Sequence, residues 1–149
     1  MRMSLENLVK ERIIGSIRPD KSLALKTFQL SRRDLGVARK VMEEGSSDWA
    51  FAIAYNSMLQ AGRCLMFLKG YKPMGEFKHV AVVRFLEEAY SNEITARLIS
   101  ILDRMRKKRH TTLYDEPDAI SEQEARNAIA WATEFAVKVE DVLKKEGVL

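Results

Sequence analysis

Residues 47–69 decide the fold predicted for this chain, and they read SDWAFAIAYNSMLQAGRCLMFLK. Large apolar side chains recur through the segment at helical spacing, and small residues, among them Gly62, let a neighbouring helix come close. Ser46 or Ser47 can cap the start of this helix, and Gly70 can end it. The sequence therefore predicts that this segment is the central helix of a helical core.

Apolar residues at helical spacing, separated by helix-breaking and capping residues, divide the rest of the chain into further helices. The predicted helices are residues 4–17, residues 20–44 after an Asp20 cap, residues 76–89, a segment that starts at Ser91 or Asn92 and runs into the cations near residue 104, and a last segment that starts with the capping box Ser121-Glu122-Gln123-Glu124. Residues 70–75 are predicted to be a loop because they contain two glycines and a proline. The fold prediction is all-α: a single up-and-down helical bundle of five or six helices over residues 1–149.

The composition is that of an ordinary soluble protein, with 46% hydrophobic residues, 31% charged residues and a formal net charge of +4. Cys64 is the only cysteine, so no disulfide can form within the chain, which fits a cytoplasmic location. The longest mainly apolar segment, residues 49–68, is interrupted by polar residues and is too polar to span a membrane. We therefore expect no membrane partner. We also expect no metal and no cofactor, because the sequence has neither a metal-ligand spacing nor a Gly-rich phosphate loop.

Residues 103–115, which read DRMRKKRHTTLYD, concentrate positive charge at the end of the fifth predicted helix. Five cations lie here directly before one of the two histidines of the chain: Arg104, Arg106, Lys107, Lys108, Arg109 and then His110. Imidazole moves protons near neutral pH, and guanidinium groups match phosphate oxygens in a bidentate geometry. The segment therefore has the residue types that metal-independent RNA cleavage requires. A simpler interpretation is that these cations are solvated and only complement the helix dipole.

Two segments resemble the HEPN family (higher eukaryotes and prokaryotes nucleotide-binding), a family of small helical domains. The first is residues 47–86, with a long helix, a Lys-Gly turn and the sequence Phe77-Lys78-His79 before the next apolar run. The second runs from Arg104 to His110 and fits the family signature of Arg, four to six residues, then His. The resemblance covers residues 21–143. It implies a helical bundle that dimerises and brings the signature motifs of two chains together in a cleft.

On this resemblance, Arg104 and His110 are the expected catalytic residues. The expected phosphate- or RNA-binding residues are Arg106, Lys107, Lys108 and Arg109, and the possible accessory residues are Tyr114 and His79. Helix geometry offers an alternative, because Arg104 and His110 lie roughly 120° apart around a regular helix. Arg106 and His110 instead share one face. Both arginines therefore stay candidates to work with His110.

The resemblance leaves two functions open. The first is a metal-independent endoribonuclease of the toxin type that acts as a homodimer, for which we expect helices three and five to supply the dimer surface. The second is a non-catalytic HEPN module that binds nucleotide, RNA or a small nucleotidyltransferase antitoxin. Met105 favours the second function, because family motifs commonly carry a polar residue directly after the arginine. Tyr114 also departs from the toxin pattern of His, one residue, Tyr, since three residues separate it from His110. A purely structural helical adaptor would need only the apolar helix faces.

Overall fold

The computed structural model describes residues 4–110 and 119–149. In chain order its elements are α1 (Leu5–Lys10), β1 (Ile14–Ser16), α2 (Lys21–Glu43), α3 (Ser47–Lys69), β2 (Tyr71–Pro73), α4 (Lys78–Ala89), α5 (Ala96–His110) and α6 (Glu122–Lys145). Helices dominate the described part of the chain, and the all-α prediction is confirmed.

Helix α3 lies at the centre of the packing, as its sequence predicts. It packs most extensively against α2 and α6 and also contacts α4 and α5. Gly62 approaches α4 so closely that an added Cβ would lie 2.5 Å from Cγ1 of Val82. A side chain at this position would push the two helices apart, so the small residue in the centre of α3 has a structural basis.

Capping residues set three ends of the long helices where the sequence predicted them, whereas Ser46, at the start of α3, makes no side-chain capping hydrogen bond. The Asp20 carboxylate accepts a hydrogen bond from the backbone N–H of Leu23 at 2.9 Å. Gly70 ends α3 with a φ of 96°, in the left-handed region that favours glycine. Ser121 starts α6 with a complete capping box, in which its hydroxyl and the Glu124 carboxylate each accept from the backbone N–H of the other residue. These three predictions are confirmed.

A short antiparallel sheet corrects two predictions. Residues 4–17 divide into α1 and β1 rather than forming one helix, and residues 70–75 include β2, which pairs with β1. The helix breaks because Arg12 has a φ of 60°, outside the right-handed helical region. Ile14, which is β-branched and fully buried, then favours a strand once β2 is beside it.

Helix α5 begins later than predicted. Ser91 and Asn92 lie in a turn before the helix. The hydroxyl of Thr95 instead accepts a hydrogen bond from the backbone N–H of Leu98, in the first turn, at 3.3 Å. The backbone N–H of Ile94 donates to the carbonyl of Tyr90 at 2.9 Å, and both side chains are buried. This anchored turn separates α4 from α5, so the helix starts only after it.

Candidate functional site

Helix α5 presents different side chains to the core and to its two flanks. Its buried row consists of Leu98, Ile99, Ile101, Leu102 and Met105. Met105 is only 3% exposed, so the row fixes the rotation of the helix as far as the cationic segment. Arg106 and His110 consequently face one cavity, whereas Arg104 and Lys108 face another.

A cavity of about 590 Å³ lies between the C-terminal end of α5, helix α3 and the start of α4. Its described lining residues are Arg63, Glu76, Phe77, Lys78, His79, Val80, Arg106, Arg109 and His110. Glu76 supplies the only carboxylate in this set, against three guanidinium groups, one ammonium group and two imidazoles. The cavity is therefore positively charged, and its volume is that of a small-ligand site.

A partly buried hydrogen bond joins the wall of this cavity to the core. The hydroxyl of Tyr55 lies 2.9 Å from Nδ1 of His79, and the two ring centroids are 5.7 Å apart. Tyr55 is 1% exposed. Burial raises the pKa of the Tyr55 hydroxyl despite the nearby arginines, so the hydroxyl stays protonated at neutral pH. Tyr55 therefore holds the imidazole of His79 at the cavity without itself becoming charged.

The environment of His79 favours a neutral imidazole. Burial lowers the pKa of His79, and the positive charges of Arg109, Arg63 and Arg106 lower it further. At neutral pH the ring is therefore uncharged. An uncharged imidazole can accept a proton from a bound molecule.

The three arginines of the cavity are held in different ways. The guanidinium carbon of Arg109 lies 5.7 Å from the centroid of the Tyr55 ring. Arg106 donates to the Asp103 carboxylate from Nε at 3.0 Å, and its Nη2 lies 2.9 Å from the same oxygen. Nε of Arg63 is buried and has no hydrogen-bond partner among the residues that the structure describes. Among the described residues, no carboxylate forms an ion pair with Arg63. The positive charge of Arg63 is therefore available to an anion in the cavity.

The HEPN domain family model matches residues 25–142 of the chain. The chain belongs to the HEPN family. The resemblance drawn from residues 47–86 and 104–110 is thus confirmed at the level of the family. HEPN domains often dimerise. A comparison with curated proteins gave no significant match.

The structure distributes the predicted site residues of this HEPN domain over both flanks of α5. Arg106, Arg109, His110 and His79 lie together on the cationic cavity. Arg104 does not line that cavity. It borders a separate groove of about 230 Å³ with Lys108, and the other lining residues are Phe51, Ile101, Met105, Glu124 and Trp131. The arginine chosen from the family signature and the arginine chosen from helix geometry are therefore on different surfaces.

The remaining predicted residues lie elsewhere. Lys107 is 3.6 Å from the Asp103 carboxylate and lines a third cavity between α4 and α5. Tyr114 lies outside the described residues, so the structure gives no position for it. Arg106 lines this third cavity as well, but Lys107 is not among the described residues that line the cavity with His79.

Sequence reasoning missed Arg63 as a site residue and did not connect Tyr55 with His79. Arg63 is the only Lys or Arg between residues 49 and 68. A single cation inside a mainly apolar central helix is the signal that could have identified it, because such a residue needs a polar neighbourhood that the helix itself does not provide. The Tyr55 contact has no comparable signal, since it depends on how α4 packs on α3.

Other kinds of site receive no support from the described residues. Within residues 4–110 and 119–149, no group of three or more His, Cys, Asp or Glu side chains could hold a metal ion. Over the same ranges, no helix is both long and apolar enough to cross a membrane. Cys64 is fully buried, and burial raises the pKa of its thiol to about 12, so the thiol is a core group rather than a nucleophile.

Proposed function

We propose that this HEPN domain binds RNA in the cationic cavity and cleaves its phosphodiester backbone as a metal-independent endoribonuclease. The observation that carries the proposal is the meeting of Arg63, Arg106 and Arg109 on a cavity that also holds His79 and His110. Guanidinium groups match phosphate oxygens and stabilise the charge that develops during phosphoryl transfer. Imidazoles supply and remove protons near neutral pH.

His110 is proposed as a proton-transfer group of this reaction. It is the exposed last residue of α5, so an RNA strand can reach it from solvent. In the reaction the 2′-hydroxyl oxygen attacks the adjacent phosphorus and the bond from phosphorus to the 5′ oxygen breaks. The products are a 2′,3′-cyclic phosphate and a 5′-hydroxyl. One proton must leave the 2′-hydroxyl and one must reach the 5′ oxygen, and imidazole is suited to both transfers.

Arg106 rather than Arg104 is proposed to contact the scissile phosphate. Arg106 shares the cavity with His110, whereas Arg104 borders the groove on the opposite flank of α5. Asp103 orients the Arg106 side chain through two of its nitrogens. Arg104 is therefore a matched control for Arg106, because it carries the same charge and lies on the same helix but borders a different surface.

Incubation of the purified protein with unstructured, fluorescently labelled RNA in EDTA tests the proposal. We expect products with 2′,3′-cyclic phosphate ends and a large loss of rate in His110→Ala. Cleavage that continues unchanged in His110→Ala would come from a contaminant and would overturn the proposal. Lys108→Ala is the control variant, because it changes a residue at the same end of α5 that does not line the cavity.

We further propose that the protein is a homodimer, in keeping with the common behaviour of HEPN domains. Trp49 on α3 is 58% exposed, and Leu30 and Val37 on the adjacent α2 are 40% and 39% exposed. A second copy that covered these side chains would remove apolar area from water. Sedimentation equilibrium should give the dimer mass for the wild type and a shift toward monomer for Trp49→Ser. A monomeric wild type at micromolar concentration would exclude the dimer.

The alternative is a non-catalytic HEPN module that binds nucleotide, RNA or a small nucleotidyltransferase antitoxin. The ion pairs of Asp103 favour it, because its carboxylate lies 2.9 Å from Arg106 and 3.6 Å from Lys107 and offsets part of their charge. RNA binding without cleavage in the assay above would support this function. A neighbouring gene for a nucleotidyltransferase, together with a stable complex of the two proteins, would identify the partner. With either function, we propose that the protein acts in the cytoplasm.

A further inference from the structure

We propose that the ring of Phe77 stacks on one base of the RNA, and that the strand runs from the cationic cavity across Phe77 toward Arg12 and Arg84. The inference rests on the proposed function and deepens it. The proposed function assigns contacts to the phosphate backbone alone, whereas Phe77 adds a contact to a base. The ligand of this site is an unpaired base of single-stranded RNA.

The side chain of Phe77 is exposed on a fixed backbone. It is 70% exposed, the largest value for a large hydrophobic side chain among the residues that the structure describes. Before it, the backbone N–H of Met74 donates to the carbonyl of Ile13 at 3.0 Å, and its own carbonyl accepts from the N–H of Ala81 at 3.1 Å. A ring on such a backbone has only two side-chain torsions to lose when it binds, so ordering it costs little entropy.

Two cavities meet at Phe77. The ring lines the cationic cavity and also a second cavity of about 860 Å³ beside it. The two cavities share Glu76, Val80 and Arg106 as further lining residues. A strand whose phosphate is bound at Arg106 can therefore continue into the second cavity only past the ring.

Cations also line the second cavity, so the aromatic ring has positive charge on both sides. The charged side chains of that cavity are three guanidinium groups and two carboxylates: Arg12, Arg84, Arg106, Glu11 and Glu76. Proteins that bind single strands combine these features, because bases stack on the ring while the cations bind the phosphates. An apolar protein surface would cover the ring but leave the guanidinium groups without partners, so the charge favours a nucleic acid.

The chemistry of stacking sets the substrate class. Every base has a π face, so Phe77 can hold an unpaired base of any sequence. In a duplex the bases are stacked on one another and their faces are covered, whereas the bases of single-stranded loops and ends can be splayed out onto an aromatic side chain. The inference therefore assigns single-stranded RNA as the substrate, with little preference for sequence at this position.

Binding of short RNA strands with 2′-O-methyl groups tests the inference, because such strands cannot form a 2′,3′-cyclic phosphate and stay intact. The strands are just long enough for full affinity, and in each one a single base is replaced by an abasic site. For the wild type, we expect one position at which the abasic site weakens binding roughly 5- to 150-fold, the usual effect of one stacked base. Phe77→Ser should weaken binding of the intact strand by the same factor and make that abasic site neutral. Fluorescence anisotropy gives these affinities.

Two further variants separate stacking from other effects of the substitution. Phe77→Trp keeps an aromatic face and should keep the sensitivity to the abasic site. Val137→Ser removes another exposed apolar side chain, on α6, and should bind every strand as the wild type does. The slope of log K against log salt concentration should be the same in Phe77→Ser as in the wild type, because a stacked base releases no counterions.

The outcomes distinguish the inference from the proposed function. Wild-type affinity in Phe77→Ser, or an abasic effect that persists in this variant, would overturn the inference and leave the proposed function standing. A loss of dimer mass in Phe77→Ser with unchanged RNA affinity would also overturn it, because the ring would then contact a second copy. A wild type that shows the abasic effect but does not cleave unmodified RNA would support the inference and overturn the cleavage step alone. A wild type that binds no RNA would overturn both.

Discussion

The two sides of helix α5 carry the same kinds of residue in different surroundings. On the cavity side, Arg106 and His110 meet further cations and a second imidazole across a positively charged cavity. On the groove side, Arg104 and Lys108 border a smaller surface lined largely by apolar side chains. The two sets alternate in sequence, and the burial of Met105 is what separates them in space. A run of cations therefore does not act as one unit, because the core decides which surface each side chain reaches.

The largest expected effect is the loss of proton transfer on the cavity side. His110→Ala should lower kcat for RNA cleavage by roughly 10²–10⁴-fold, the usual contribution of general acid–base catalysis. Lys108→Ala on the groove side should change kcat little. Single-turnover cleavage of a labelled RNA measures both. Equal losses of kcat in the two variants would show that the cavity side and the groove side of α5 do not differ in function.

The next largest effect is on stability, and it concerns Met105, whose burial separates the two sides of α5. Met105→Ala should lower the free energy of unfolding by about 2–5 kcal/mol, because it removes a buried side chain and leaves a cavity. Arg104→Ala next to it is exposed and should stay within about 0.5 kcal/mol of the wild type. Urea unfolding followed by circular dichroism gives both values. A small loss in Met105→Ala would mean that the apolar row does not fix the rotation of α5.

A smaller effect is expected at the hydrogen bond behind the cavity. Tyr55→Phe keeps the buried ring but removes the partner of His79 Nδ1. Loss of a hydrogen bond worth roughly 1 kcal/mol should lower kcat by about fivefold to tenfold. KM should change little, because Tyr55 positions His79 and is itself buried away from the RNA. An unchanged kcat, or a change confined to KM, would show that Tyr55 does not position His79.

The smallest effect is a pH dependence of stability that arises at His79 on the cavity side. The pKa of His79 in the native protein lies below its ordinary value of 6.5, so the unfolded chain binds more protons at mildly acidic pH. The free energy of unfolding should therefore fall as the pH drops below 6.5 toward the native pKa. Urea unfolding at a series of pH values should show a weaker fall in His79→Gln. A fall of the same size in the variant would contradict the assignment.

Much of the fold could be predicted from the sequence because its signals are local. Asp20, Gly70 and Ser121 act on the backbone within a few residues, and their helices begin or end where predicted. The strand pair was missed because β1 and β2 are three residues each, and Ile14 and Pro73 become partners only in the folded chain. Such short segments carry too little periodicity to be distinguished from helix ends or loops.

The candidate site was less predictable, because its residues come from three helices. The sequence identified His110 and Arg106 as one helix face, since residues four apart share a face. Arg63 could not be connected with them without the packing of α3 against α5. His79 was recognised only as an accessory residue, because its contact with Tyr55 forms between separate helices.

RNA binding by Arg106→Gln and Arg104→Gln, measured over a series of salt concentrations, tests most directly whether the cavity side carries the function. The slope of log K against log salt concentration changes by about 0.7 for each phosphate contact with a single strand. Arg106→Gln should reduce the slope by about this amount and weaken binding. Arg104→Gln should give the wild-type slope and affinity. Equal effects, or a larger effect in Arg104→Gln, would place the RNA on the groove side and contradict the assignment of function to the cavity.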